Sequence, residues 1–97
     1  MSLGGKGVIS VLSNVMPKKT VEMCDKFFSG DVVGARKIQL DLLPLIHALF
    51  SDVNPIPVKA AVSAMGYGEN YLRLPLTPME EGNKAVLINI MKEHNLI

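Results

Sequence analysis

The residues Asp31–Phe50, DVVGARKIQLDLLPLIHALF, carry the strongest structural pattern in this sequence. Apolar residues recur in this segment at spacings of three and four, as they do on one face of an α-helix. These residues are Ala35, Ile38, Leu42, Leu45 and Leu49. Asp31 is a good N-cap residue, so we expect the helix to begin directly after it. Pro44 lies in the helix interior, where it removes a backbone hydrogen bond, and we expect it to kink the helix.

A second helix is expected on the N-terminal side of this one. Pro17 fits a first helical turn, where its missing N–H costs nothing, and Ser29-Gly30 supplies a C-terminal stop. Val21, Cys24 and Phe28 fall at i, i+3 and i+7, which places them on one apolar face. We expect that face to pack in the core, with Cys24 as an ordinary core residue.

Two more helices are expected towards the C-terminus. Asn54–Pro57 places a capping residue before prolines, and a short helix is predicted over Val58–Met65. Tyr67–Pro75 contains two glycines and closes with a proline, which is typical of a loop. Thr77–Glu80 has Thr at the cap, Pro at the first helical position and Glu at the third, and this capping box predicts a last helix that continues to His94.

The N-terminal residues have a different pattern. Gly4–Gly7 is a glycine-rich turn, and it leads into the β-branched run Val8–Leu12, which predicts one buried strand. A strand needs hydrogen-bonding partners, and no later segment offers a second strand. We therefore expect the partner to come from another chain or from sequence that is absent, as if this chain were part of something larger.

Length and charge narrow the function classes. The chain has 97 residues, 48% of them apolar, and a net charge of +1. Its Lys and Arg residues are scattered along the sequence, so they indicate no basic patch of the kind that binds nucleic acid or an anionic membrane surface. The longest apolar stretch, Leu42–Phe50, is far too short to span a bilayer, and Met1–Lys6 has no apolar core of a signal peptide. The single cysteine matches a reducing, cytoplasmic setting.

Five side chains or motifs invite a catalytic or binding role, but none has the spacing that such a role needs. Gly4–Gly7 lacks the preceding strand and following helix of a phosphate loop. The remaining candidates are His47, His94, Lys59 and Cys24. Neither histidine shares metal-ligand spacing with an acidic residue, so we expect His47 to be a partly buried packing residue and His94 to be a favourable charge near a helix C-terminus. We expect Lys59 to be a solvated helix lysine without an acid beside it.

The predicted helices have more apolar surface than a chain of 97 residues can bury in its own core. The six methionines and the pair Phe27-Phe28 could form an adaptable binding face, although methionine also fills gaps in cores. From the residues alone, a self-standing helical module that self-associates and has no catalytic role is therefore one hypothesis. A strand without a hydrogen-bonding partner and helices with exposed apolar faces both predict that the chain self-associates.

Three separated motifs support a second hypothesis. They are Gly4–Val11 (GGKGVISV), Asn54–Lys59 (NPIPVK) and Arg73–Pro78 (RLPLTP). In this order and spacing, they resemble the C-terminal third of the dihydrodipicolinate synthase family, and the similarity runs from Gly4 to Ile97. The pair NPIPVK and RLPLTP is more typical of these synthases than of the related N-acetylneuraminate lyases and other pyruvate-dependent aldolases.

The resemblance implies a mainly α-helical portion of a (β/α)8 barrel enzyme. Residues 4–30 would hold the last barrel strand and helix, and residues 31–97 the C-terminal helical domain. Residues 1–3 depart from the family pattern and are expected to be a remnant of cloning. Family members are homotetramers that condense pyruvate with aspartate semialdehyde in lysine and diaminopimelate biosynthesis, through a Schiff base on a barrel lysine and without a dissociable cofactor.

The same resemblance assigns few site residues to this chain. Only Ile9 matches a position that touches pyruvate in the family, with Gly7 and Val8 beside it, so Ile9 is expected to be a wall residue of the pyruvate pocket. The family's Schiff-base lysine lies upstream of the matched region, and neither Lys6 nor Lys59 occupies its position. We therefore expect no catalytic residue, cofactor site or metal ligand in this chain, and no activity from it alone.

Overall fold

A computed structural model describes residues 1–97, which form four α-helices and one short 3-10 helix. The α-helices are α1 (Pro17–Phe28), α2 (Val32–Leu49), α3 (Ile56–Ala64) and α4 (Glu81–Glu93), and the 3-10 helix spans Leu12–Asn14. The mainly α-helical class expected from the sequence is thereby confirmed. None of these helices combines the length and the apolar character that crossing a membrane requires.

Helix α2 is the centre of the fold. It packs against α1 and α4, and α4 in turn packs against α3. The row of apolar residues that the sequence predicted faces the core, because four of its members are buried and Ile38 is half-buried. The four are Ala35, Leu42, Leu45 and Leu49. The helix continues through the exposed Pro44 without interruption.

The junction between α1 and α2 is fixed by local hydrogen bonds. Gly30 has φ +96, and the N–H groups of Gly30 and Asp31 reach back to the carbonyls of Phe27 and Lys26, which is a Schellman ending. Asp31 then accepts a 2.9 Å hydrogen bond on Oδ1 from the backbone N–H of Gly34. One loop therefore ends one helix and caps the next, as the sequence predicted.

The prediction for the start of α3 is wrong in detail. The N-cap is Pro55 and no side chain caps the helix, so Asn54 does not play the capping role. Two prolines at the helix start leave fewer backbone N–H groups in need of a cap, which removes the reason for one. The helix ends at Ala64, and Gly66 follows its C-cap with φ +90, as expected for a glycine that stops a helix. The loop after it has no regular structure.

The predicted capping box of α4 is also wrong. The helix begins at Glu81, with Glu80 as N-cap and no side-chain cap, so Thr77–Glu80 precedes it as irregular chain. Met79 lies in this stretch and is buried in the core beside the α2 and α4 residues. A helix begun at Pro78 would direct Met79 differently, and the burial of this large side chain outweighs the weak local cap signal.

The expected strand over Val8–Leu12 is not formed in this chain. Residues 5–10 have no regular structure, and Leu12 begins the 3-10 helix. The backbone groups of residues 5–9 make no hydrogen bond. A strand exists only with a partner that supplies the other half of its ladder, and the chain contains no such segment. The apolar pattern was detected correctly, but the partner is missing.

The face of α1 that was expected in the core is instead open to solvent. Val21 and Phe28 are exposed and Cys24 is half-buried. The buried residues of α1 are Thr20 and Met23, on the neighbouring face. Thr20 satisfies its hydroxyl within the helix by donating to the carbonyl of Met16. Apolar spacing therefore identified a real face, but not the surface that this chain can cover.

Candidate functional site

Ile9 lies in an arm, defined here as residues 5–10, that precedes the 3-10 helix. The helix is locked to the end of the arm by Ser13, whose N–H bonds to Ser10 Oγ at 3.2 Å and whose Oγ donates to the Ser10 carbonyl at 2.6 Å. Leu12 and Val15 are buried in the core directly beyond it. The end of the arm at Ser10 is therefore held in place, while residues 5–9 extend from it without backbone partners.

The side chain of Ile9 is fully exposed. It lines a shallow groove of about 230 Å³, together with Met23 of α1 and with Ile46 and Phe50 at the end of α2. This arrangement provides one apolar wall and no opposite wall. The assignment of Ile9 to a pyruvate pocket stays a prediction, because the rest of such a pocket is not formed by these residues.

Lys6 lies at the other end of the arm and lines the largest cleft, of about 470 Å³. The same cleft is lined by Val21, Cys24 and Phe28, the exposed apolar face of α1. Lys6 forms no salt bridge, and the chain's two ion pairs lie elsewhere on the surface. The cleft is open, so the exposed Lys6 side chain lies in solvent beside an apolar surface.

Lys59 is an exposed residue of α3 and lines a separate cleft of about 340 Å³. Asn14, Asn54 and Pro55 line that cleft as well. The two lysines singled out by the sequence are thus not brought together. The cleft at Lys59 is open to solvent, and no acidic side chain lines it.

The two histidines do not form a site. His47 is exposed on α2, so its prediction as a partly buried packing residue is wrong. It lies on the solvent side of the helix, one residue before the buried Ala48. His94 is the C-cap of α4, the position expected for a charge near a helix C-terminus. No group of three or more His, Cys, Asp and Glu side chains is placed to hold a metal ion.

The chemistry that the arrangement can supply is therefore apolar contact and backbone pairing. The sequence patterns missed the groove beside Ile9, because Met23, Ile46 and Phe50 belong to two different helices. A usable signal was present in the sequence. Ile46 is an apolar residue of α2 outside its buried row, and Phe50 is the apolar C-cap of the same helix. Such residues mark a second apolar surface, which the arm approaches but does not cover.

Comparison with known proteins places this arrangement in a larger enzyme family. Residues 1–94 match the model of the dihydrodipicolinate synthetase family. The match includes residues 1–3, and their assignment as a cloning remnant stays a prediction. A 4-hydroxy-tetrahydrodipicolinate synthase from Alkaliphilus oremlandii is 61% identical over 97% of this chain and 32% of its own length. One from Geobacter sulfurreducens is 53% identical over the whole chain and 33% of its own length.

Solved structures agree with the sequence comparison. The crystal structure of dihydrodipicolinate synthase from Thermotoga maritima superimposes with a TM-score of 0.96 at 51% identity, over 99% of this chain and 32% of that one. A monomeric variant of dihydrodipicolinate synthase matches with a TM-score of 0.95 at 51% identity, over 99% of this chain and 32% of that one. The chain therefore spans about a third of the length of the relatives it matches, and the match corresponds to their C-terminal portion.

Proposed function

Because the chain belongs to the dihydrodipicolinate synthetase family, we propose that it serves as the C-terminal third of a dihydrodipicolinate synthase. The whole protein would be a lyase that condenses pyruvate with aspartate semialdehyde in lysine and diaminopimelate biosynthesis. It would form a Schiff base between pyruvate and a lysine, without a dissociable cofactor. The observation that carries this proposal is the family match across residues 1–94.

In this proposal, residues 4–30 supply the last strand and the last helix of a (β/α)8 barrel, and residues 31–97 form the helical domain that follows. The unpaired backbone of residues 5–9 supports this division, since a barrel strand has neighbours on both edges. The open face of α1 supports it too, because barrel helices cover the outside of the strands. Ile9 would then be a wall residue of the pyruvate pocket.

The Schiff-base lysine of the whole enzyme is proposed to lie outside this chain. Lys6 and Lys59 line two separate open clefts, and neither cleft encloses its lysine. The chain alone is therefore proposed to be inactive.

Borohydride reduction in the presence of pyruvate tests this directly, because it converts a Schiff base into a stable adduct visible by intact mass. We expect no adduct on the purified 97-residue chain. Full-length Thermotoga maritima synthase, treated in parallel, is the positive control. An adduct mapped by peptide mass to Lys6 or Lys59 would refute the proposal that the Schiff-base lysine lies outside this chain.

Two further features of the whole protein belong to this proposal. We expect a homo-oligomer, although a monomeric synthase variant is among the similar structures, so assembly is a separate measurement. We expect a cytoplasmic location, which suits the single free cysteine. The alternative of a self-standing helical module without a catalytic role is not favoured, because the family match leaves almost no residue of the chain outside an enzyme family.

A further inference from the structure

Two hydrogen bonds between Ser10 and Ser13 hold the turn that follows Ile9. The Ser13 Oγ donates to the Ser10 carbonyl at 2.6 Å, and the Ser13 N–H donates to Ser10 Oγ at 3.2 Å. Both serines are half-buried, and the backbone is already helical at Val11. We call this pair of bonds the serine hook. Because it joins side chain to backbone in both directions, the hook fixes the course of the backbone directly after Ile9.

The serine hook is anchored to the core of the chain. The 3-10 helix that contains Ser13 packs against both α1 and α2. Leu12 and Val15, on either side of Ser13, are buried in the same hydrophobic core as the apolar row of α2. A backbone bond of 2.9 Å from the Met16 N–H to the Leu12 carbonyl continues the turn towards α1. None of these contacts involves the arm before Ser10, so the hook does not depend on what precedes it.

In the proposed barrel, the hook lies directly after the strand that carries Ile9. The strand must end before Leu12, where the 3-10 helix begins. Ile9 would therefore lie near the carboxyl end of the strand, and barrel active sites lie at that end. Ladder hydrogen bonds hold the residues before Ile9, whereas the hook holds the residues after it. The position of the Ile9 side chain thus depends on both.

The chemistry of pyruvate indicates what an apolar wall residue contacts. Pyruvate has one apolar end, its methyl group, because its other two carbons carry a carboxylate and a ketone oxygen. Contact of either polar group with an isoleucine would leave that group without a hydrogen bond, so the methyl group is the favoured neighbour of Ile9. A tightly fitting apolar pocket discriminates against one extra methylene by about 10–200-fold. Discrimination of this kind requires a wall that does not move.

We propose that Ser13 is a positioning residue for substrate selection. Through the serine hook, it holds Ile9 against the methyl group of pyruvate and so excludes 2-oxo acids with a longer carbon chain. This inference rests on the proposed function, in which Ile9 is a wall residue of the pyruvate pocket. Ser13 acts through the backbone, because its hydroxyl is engaged by the Ser10 carbonyl. Removal of the hydroxyl leaves that carbonyl without its donor and lets the end of the strand shift.

Competitive trapping measures this selectivity. The C-terminal portion of the Thermotoga maritima synthase is replaced by this chain in one fused polypeptide. The fusion is reduced with borohydride in an equal mixture of pyruvate and 2-oxobutyrate, which has one more methylene. Intact mass gives the ratio of the two adducts. This ratio does not depend on how much of the protein is folded, so a loss of stability alone does not change it.

Three variants of the fusion are compared with the unmodified fusion. Ser13→Ala removes the hydroxyl, and Ser13→Thr keeps it. Ser29→Ala is the matched control, because Ser29 Oγ also donates to a carbonyl three residues earlier, that of Lys26 at 3.0 Å, beyond the other end of α1.

We expect the preference of Ser13→Ala for pyruvate to fall by about threefold or more, since the net value of one hydrogen bond is a factor of about two to ten. Ser13→Thr and Ser29→Ala should keep the preference of the unmodified fusion. Equal preferences in Ser13→Ala and Ser29→Ala would overturn the role of Ser13. So would a loss in Ser13→Thr as large as that in Ser13→Ala, since the hydroxyl would then not be responsible.

Amide hydrogen exchange of the 97-residue chain, followed by NMR, tests the hook without any enzymatic activity. The Ser13 amide should be protected, and Ser10→Ala, which removes its acceptor, should raise its exchange rate by about tenfold. An unprotected Ser13 amide in the unmodified chain would overturn the inference. A fusion that traps neither 2-oxo acid would overturn the proposed function and this inference with it. A fusion that traps pyruvate, but with equal selectivity in Ser13→Ala, would overturn only the role of Ser13.

Discussion

Leu45 and Leu40 lie on the same helix, but only Leu45 is buried: its exposed fraction is 0%, against 60% for Leu40. Leu45→Ala leaves a cavity in the core beside the middle of α2 and should lower the free energy of unfolding by about 2–5 kcal/mol. Leu40→Ala, the matched control, should stay within about 0.5 kcal/mol of the unmodified chain. Urea denaturation followed by circular dichroism measures both, and equal effects would mean that α2 is buried differently.

Ile9 should show the opposite behaviour, with no role in stability and a role in substrate binding. Its side chain is fully exposed, so Ile9→Asp should change the free energy of unfolding by less than about 0.5 kcal/mol. In a barrel reconstituted with the missing two-thirds, the same charge would stand in the pocket wall beside the pyruvate carboxylate and reduce pyruvate trapping. Ile9→Val is the control that keeps the wall apolar. If Ile9→Asp traps as much pyruvate as this control, Ile9 does not belong to the wall of the pyruvate pocket.

For individual residues, the sequence predicted which face of a helix is apolar better than it predicted which side chains are buried. The row of α2 was identified correctly, because the neighbouring helices that cover it belong to the same chain. The row Val21, Cys24 and Phe28 has similar spacing, yet two of its three members are exposed. Periodicity indicates which side of a helix is apolar. It does not indicate whether the chain contains another element that packs against that side. The wall role proposed for Ile9 rests on the family resemblance, because no local pattern distinguishes a wall residue from a core residue.

Among the elements, the start of α2 offers the sharpest test. Asp31→Ala removes the bond from the Gly34 N–H and should destabilise the chain by about 1 kcal/mol. The ion pair of Asp31 Oδ2 with Lys26 Nζ, at 3.5 Å and partly exposed, should add little. Asp31→Asn keeps an acceptor and removes the charge, so it should retain most of the stability in urea titrations. A loss with Asn as large as that with Ala would assign the effect to the ion pair.

Helix ends were predictable where a single local rule decided them. Gly30 and Gly66 both adopt positive φ at the end of a helix, as glycine allows and other residues resist. The capping box at Thr77 failed because the burial of Met79 is worth more than one cap. The strand at Val8 failed for a different reason, since a ladder depends on a partner that local sequence does not contain.

For the molecule as a whole, the residues alone left two hypotheses open. Length and charge gave no support for a nucleic-acid or membrane partner, but a helical module with apolar faces suits both an association domain and part of an enzyme. The motifs at Gly4–Val11, Asn54–Lys59 and Arg73–Pro78 favoured the enzyme, and the family match across residues 1–94 confirmed that assignment. The catalytic site was beyond prediction in physical terms, because an enclosed pocket needs walls that this chain does not form.

Reconstitution of the barrel tests the central claim most directly. The 97-residue chain would be refolded together with the N-terminal two-thirds of the Thermotoga maritima synthase, ending where the match begins, and the complex would be treated with pyruvate and borohydride. We predict a one-to-one complex with a reduced pyruvate adduct on a lysine of the added portion, and no adduct on either part alone. Failure to form the complex, or an adduct on this chain, would contradict the account.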